Sequence, residues 1–222
     1  MTWTVRRHTE APSAFHARPL PDRVAREVWI CDATRPALVL GSAQPAEVAD
    51  VAACESAGVE VVRRRSGGGA VLVVPGELLW VDVVIPASDE LWQVDVGRAF
   101  HWLGDVWSAA LADCGVDSVV NRGPLRRSEW SDLVCFAGVG SGEVETVGGA
   151  KLVGISQRRT RAAARFQCAA LVRWDPVALL ALLALGEDRR DAANALAGAA
   201  TGVEVTGVAL DALLDAFLRH LP

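Results

Sequence analysis

The chain has 222 residues, 51% of them apolar, and carries 22 basic against 27 acidic side chains for a net charge of −5. That apolar fraction excludes an intrinsically disordered chain, and 20 Gly with 10 Pro along its length exclude a coiled coil. A domain of this size hides roughly 70% of its unfolded surface, so a substantial core is available, and the acidic balance argues against a general nucleic-acid binder.

Residues 1–27 are polar and interrupted by proline, which predicts an irregular lead-in with at most one short strand. Residues 37–41 form a short apolar run closed by Gly41, a buried-strand pattern. Residues 45–57 read as a helix, with Pro45 at its start and Gly58 at its stop. A strand at 59–63 follows and runs into Arg63-Arg64-Arg65-Ser66-Gly67-Gly68-Gly69. Strands at 70–74 and 78–85 are joined at Pro75-Gly76, a turn dipeptide.

Residues 94–114 carry apolar side chains at three- and four-residue spacing (Val96, Phe100, Leu103, Trp107, Leu111), which predicts an amphipathic helix ended by Gly115. Strands are expected at 116–120, 132–136, 143–147, 151–156 and 166–172, and helices at 177–185, 192–200 and 208–220. The pattern predicts one α+β domain, with a mixed or antiparallel sheet and packed helices. The expected division is the lead-in 1–27 and a catalytic-type domain 28–222, with no second domain after the last helix.

Five widely spaced cysteines without a CxxC pair fit neither a disulfide framework nor a zinc site and point to a reducing compartment. The four histidines are isolated, so no structural metal is expected. No apolar run approaches the ~18 residues needed to cross a bilayer, and the start of the chain lacks an apolar signal core. The reading is a cytoplasmic protein.

One detail of composition is more pointed. Of the 22 basic residues, 21 are Arg and one is Lys, Lys151. Where coding bias has turned surface lysines to arginine, a remaining lysine marks a place that needs a compact ammonium rather than a planar guanidinium. Lys151 follows Gly148-Gly149-Ala150 and opens Lys151-Leu152-Val153-Gly154-Ile155-Ser156-Gln157-Arg158-Arg159. Three consecutive glycines at 67–69 leave backbone N–H groups unobstructed by side chains, and flanking arginines supply positive charge. No Gly-Lys-Ser/Thr follows them, and the next element is a strand, so they form neither a P-loop nor a dinucleotide fingerprint.

Together these segments resemble the lipoate–protein ligase family, within the wider superfamily of biotin and lipoate ligases and octanoyltransferases. Arg63-Arg64-Arg65-Ser66-Gly67-Gly68-Gly69-Ala70-Val71 is similar to the family's Arg-Arg-x-Ser-Gly-Gly-Gly-Ala-Val, and the Lys151 segment to its Lys-x-x-Gly-x-x-Gln-Arg. The resemblance implies an enzyme that activates lipoate or octanoate with ATP, accompanied by Mg2+, as an acyl-adenylate. It would then pass the acyl group to a lysine of a lipoyl domain, of a 2-oxoacid dehydrogenase or a glycine cleavage protein. It implies that Lys151 bridges acyl carbonyl and phosphate, and that Arg64, Ser66, Gly67, Gly68 and Gly69 line the adenylate. Ala70, Val71 and Leu72 would continue that lining, with Gly154 beside the lysine and Asp132 standing in the family's Asn-Asp pair.

The departures are specific. Val73-Val74 replaces the family's His-Asp, Ser131-Asp132 its Asn-Asp, and Phe166-Gln167-Cys168 its His-His-Gly. Cys135, followed by Phe136, resembles the nucleophile of cysteine-dependent octanoyltransferases, which take octanoate from acyl carrier protein without ATP. A non-catalytic acyl or adenylate binder is the third reading. Arg158–Arg165 reads as a solvated basic edge, suited to an acidic carrier or lipoyl domain.

Overall fold

The computed structural model describes residues 2–20 and 24–222. Two mixed sheets face each other, with helices covering their outer sides. The larger sheet holds β1 (Thr4–Glu10), β2 (Glu27–Ala33), β6 (Leu78–Pro86), β7 (Ser118–Val120), β8 (Val144–Thr146), β9 (Lys151–Arg159) and β10 (Ala163–Leu171). Its strand order is β1-β2-β6-β10-β9-β8-β7, with only the β1–β2 pair parallel. The smaller sheet is β4 (Glu60–Arg63), β3 (Ala37–Leu40) and β5 (Val71–Val73), with β3 between a parallel and an antiparallel partner.

Side chains alternate across a strand, so one strand can feed two cores. On β6, Leu79, Val81, Val83 and Ile85 pack outward against α3 (His101–Asp113) and α6 (Leu210–Arg219), whereas Trp80 and Val84 turn inward. On β3, Ala37 and Val39 face the large sheet, and Leu38 and Leu40 face α4 (Pro176–Leu180) and α5 (Arg189–Leu196). Trp107 on α3 meets Phe217 on α6 with ring centroids 4.3 Å apart, and both are fully buried. Truncating such a side chain costs roughly 3–5 kcal/mol.

The α+β class and the mixed sheet agree with the sequence reading, and several elements differ from it. Residues 4–17 are more regular than the expected lead-in: the one short strand allowed there is β1, and a helix follows it. β1 extends the large sheet, and α1 (Pro12–Ala17) buries Phe15 completely. Arg165 fixes α1 by donating to Phe15 O at 2.8 Å while pairing with the buried Asp82 through Nε at 2.8 Å. Burial holds the Asp82 carboxyl above its ordinary range, against the pull of Arg165. Arg26 makes a two-toothed pair with Asp89, both contacts at 2.9 Å, and that guanidinium holds the Asp89 carboxyl below its usual range.

The stretch read as a helix at 45–57 divides into a short 3-10 turn and α2 (Val51–Ser56), because Asp50 caps α2 by accepting from Ala53 N at 3.0 Å. Val94 and Val96 are exposed, and α3 begins only at His101. β5 and β6 are joined by the expected turn but belong to different sheets. Residues 132–136 are not a strand; they make a single bridge, Ala70 to Val134, and pass into a 3-10 turn at Cys135–Ala137. No described helix is long and apolar enough to cross a membrane.

Candidate active site

The site lies where the two sheets separate. Lys151 opens β9 and is held there by its backbone, which accepts from Thr201 N and donates to Ala199 O, both at 3.0 Å. Its side chain then runs inward and is 1% exposed. The ammonium donates to Cys135 O and Gly138 O, each at 3.1 Å, and lies 2.7 Å from Glu143 Oε2. It also stands 4.9 Å from the centre of the Phe136 ring. Gly154 gives the lysine its room: a Cβ there would lie 3.3 Å from Lys151 Cε and from Phe136 Cζ.

Glu143 had no signal in the sequence beyond being an acid eight residues before the lysine. Its carboxylate is almost fully buried and accepts from Gly140 N at 2.6 Å and Ile155 N at 2.9 Å as well as facing Lys151. Only the tertiary fold brings those donors together.

The glycine segment meets the Cys135 turn directly. Ala70 N donates to Leu133 O at 2.7 Å, and Cys135 N donates back to Ala70 O at 3.0 Å. A Cβ on Gly69 would sit 2.6 Å from Val134 backbone atoms, so only glycine permits this approach. Arg64 is buried and wholly engaged with carbonyls: it donates to Gly67 O at 2.7 Å, Gly69 O at 2.8 Å and Val39 O at 3.2 Å. Its guanidinium shapes the loop instead of standing free for a phosphate. Among the described residues none accepts from the N–H groups of Gly67, Gly68 or Gly69, which leaves three donors for an anion or a polarised carbonyl.

Gly67, Gly68, Gly69, Glu143 and Lys151 line one cleft. An adjoining apolar pocket runs between the sheets, walled by Val39, Val71, Val73, Leu78 and Trp80. Cys135, Ile155 and Ser156 line both spaces, so the cysteine stands between the lysine cleft and the apolar pocket. Cys135 is half-buried, whereas Cys31, Cys54 and Cys168 are buried, and burial pushes the Cys168 thiol up. His16, Ser156 and Gln167 add polar groups to the pocket lining: Ser156 shares a hydrogen bond of 2.9 Å with Ser66, and Gln167 lies 3.4 Å from His16 Nδ1. Burial, with Arg165 and Arg64 adding, pushes the His16 pKa down to about 3.

Other residues singled out in the sequence lie apart. Ala70 and Leu72 border a third hollow beside Trp174; Val71 stands between it and the apolar pocket. Leu72 therefore faces away from the apolar pocket, as alternation along β5 requires. Asp132 is exposed, paired with Arg127 in solvent, and not part of the cleft; its neighbour Ser131 lines the cleft. The Arg158–Arg165 stretch is not one solvated edge, because Arg165 is buried on Asp82 and Arg159 stacks at 4.0 Å on Trp92. Among the described residues no group of three His, Cys, Asp or Glu side chains is placed to hold a metal ion. Glu143 is already engaged by Lys151 and two backbone donors, so the cleft does not fit a protein-held Mg2+.

Residues 19–208 match the model of the Lipoyl protein ligase A/B catalytic domain. No curated protein matches the sequence. Among solved structures, the chain is similar to one from an archaeal lipoylation system, a bi-partite lipoate protein ligase and its E2 lipoyl domain from Thermoplasma acidophilum. The match has 20% identity and a TM-score of 0.75, covering 99% of this chain and 82% of that one. A putative lipoate protein ligase from T. acidophilum with bound lipoic acid matches at 19% identity and TM-score 0.72, covering 99% and 84%. A lipoate-protein ligase A bound with ATP matches at 18% identity and TM-score 0.69, covering 98% and 82%. At these identities the likeness establishes the fold.

Proposed function

Because the chain belongs to the lipoyl protein ligase A/B catalytic-domain family, we propose that it transfers a lipoyl or octanoyl group to a lysine of a lipoyl domain. The observation that carries this is the adjacency of two spaces: an apolar pocket between the sheets and a cleft lined by Lys151 and Gly67–Gly69 share Cys135, Ile155 and Ser156 as lining, and the glycine N–H groups have no acceptor among the described residues. The alkyl chain occupies the pocket, and its carbonyl reaches the cleft, where the glycine amides stabilise the developing oxyanion while Lys151 fixes the Cys135–Gly138 turn that faces them. Amine attack forms the amide bond as the donor's leaving group departs.

Two donors suit this geometry. In the ligase reading, ATP and the free acid give an acyl-adenylate and pyrophosphate; the lipoyl lysine then releases AMP. The phosphate would lie on the glycine amides, and the hollow along Ala70–Leu72 beside Trp174 would take the base. Magnesium would enter with the nucleotide as part of the substrate. The relatives with bound lipoic acid and with bound ATP support this choice of ligands, and the relative studied with its E2 lipoyl domain supports the acceptor. In the second reading an octanoyl group arrives on acyl carrier protein as a thioester and passes through Cys135. The half-buried thiol at the junction of the two spaces favours it. Five free thiols among the described residues support a reducing, cytoplasmic setting.

Intact-mass spectrometry of apo lipoyl domain tests the proposal. Addition of one acyl group is expected with ATP plus free lipoate or octanoate, or with octanoyl carrier protein alone. No addition with either donor, while ligand binding persists, would make the chain an acyl-binding protein instead.

A further inference from the structure

We propose that Glu143 sets which acyl donor this site accepts, favouring a neutral thioester over an acyl phosphoanhydride; the inference rests on the acyl-transfer reading above. An ammonium has three N–H donors. Those of Lys151 are matched by three acceptors within the chain: Cys135 O, Gly138 O and Glu143 Oε2. Glu143 is equally fixed, because swinging away would strand the Gly140 and Ile155 N–H groups, which it accepts at 2.6 and 2.9 Å. The buried pair therefore adds no net charge to the cleft.

A phosphate entering that cleft meets a carboxylate as well as an ammonium, and like charges repel strongly where water is scarce. The cleft supplies no second carboxylate for a bridging cation, since Asp132 is paired with Arg127 outside it. A thioester brings no charge to the same place, and the free glycine amides still serve the oxyanion of its tetrahedral intermediate. Cys135 lies beside those amides: its Sγ is 3.7 Å from where a Cβ on Gly68 would stand. The atoms balance without ATP. The carrier's C–S bond breaks as the Cys135 C–S bond forms, and the carrier thiol takes the Cys135 proton. The lipoyl lysine amine then displaces Cys135, its lost proton returning to that sulfur.

The test compares wild type, Glu143→Gln and Glu143→Gln/Lys151→Gln as full-length proteins. ATP binding is read by calorimetry, and octanoyl transfer to apo lipoyl domain by intact mass. Wild type is expected to turn over octanoyl carrier protein at least tenfold faster than ATP plus octanoate. Glu143→Gln should bind ATP at least tenfold more tightly, and the double variant should lose that gain. A purely structural role would instead weaken both donors together and leave ATP affinity unimproved, which overturns the proposal. If Glu143→Gln fails to fold, the wild-type donor preference decides alone, and equal or faster turnover with ATP overturns it. Absence of transfer from either donor contradicts the acyl-transfer reading, whereas the ATP affinities still report on Glu143.

Discussion

Ser66 and Ser156 stand 90 positions apart in the sequence and share a hydrogen bond of 2.9 Å. One belongs to the glycine-rich segment and the other to the lysine strand, so this contact joins the two motifs at the wall of the apolar pocket. Such a bond contributes about 0.5–1.5 kcal/mol net. A double-mutant cycle of Ser66→Ala and Ser156→Ala, followed by urea unfolding, should give a coupling energy in that range; additive effects would mean the motifs are held together by other contacts.

The glycine segment contains its own control. A Cβ on Gly69 would strike backbone atoms of Val134 at 2.6 Å, whereas nothing lies within 4 Å of one on Gly67. Gly67→Ala should leave stability within about 0.5 kcal/mol of wild type, as surface substitutions usually do. Gly69→Ala should cost roughly 3 kcal/mol or more, because the obstacle is backbone held by the Ala70–Leu133 hydrogen bond. Thermal unfolding of the two variants checks the contrast.

Gly154→Ala places a methyl group 3.3 Å from Lys151 Cε and Phe136 Cζ. The ammonium is tied at three points and cannot retreat freely. Transfer to the lipoyl domain should fall by about tenfold or more, with a stability loss of only about 1 kcal/mol, because small misplacements of a reacting group are costly. Single-turnover rates alongside unfolding midpoints separate the two effects.

His16 gives the fold an acid-sensitive point. Burial first, then Arg165 and Arg64, lowers its pKa from 6.5 to about 3. The unfolded chain takes up this proton near pH 6.5, the folded chain only near pH 3. The contribution is complete above pH 6.5 and is lost as pH falls from there towards 3, at a limiting slope of about 1.4 kcal/mol per pH unit. Urea midpoints of wild type and His16→Asn between pH 7 and 4 should converge as pH falls; parallel curves would place His16 in a wetter environment.

The two motifs were legible because each is contiguous and chemically unusual: three adjacent glycines after arginines, and a solitary lysine after a glycine turn. Glu143 was not legible, since its meaning comes from Lys151, Gly140 and Ile155 converging on it in three dimensions. His16 and Gln167 were hidden for the same reason: they meet across 151 positions. In the fold, β2 escaped notice, and the polar β1 owes its place to parallel pairing with it, a contact no local pattern announces. Leu133-Val134-Cys135-Phe136 misled in the opposite direction. Its apolar run has strand character, but the close approach of Gly69 and Ala70 makes it a bridge followed by a turn. Val94 and Val96 continue the helical spacing in the sequence, but both side chains are exposed and α3 begins after them.

One geometry is central: an alkyl chain between the sheets with its carbonyl presented to the glycine amides beside Lys151. A crystal structure of the protein soaked with octanoate tests it most directly. The chain is expected to pack against Trp80 and Val73, with the head group within hydrogen-bonding distance of a Gly67–Gly69 N–H. Octanoate bound elsewhere, or seated with its head group directed at His16 and Gln167, would contradict it.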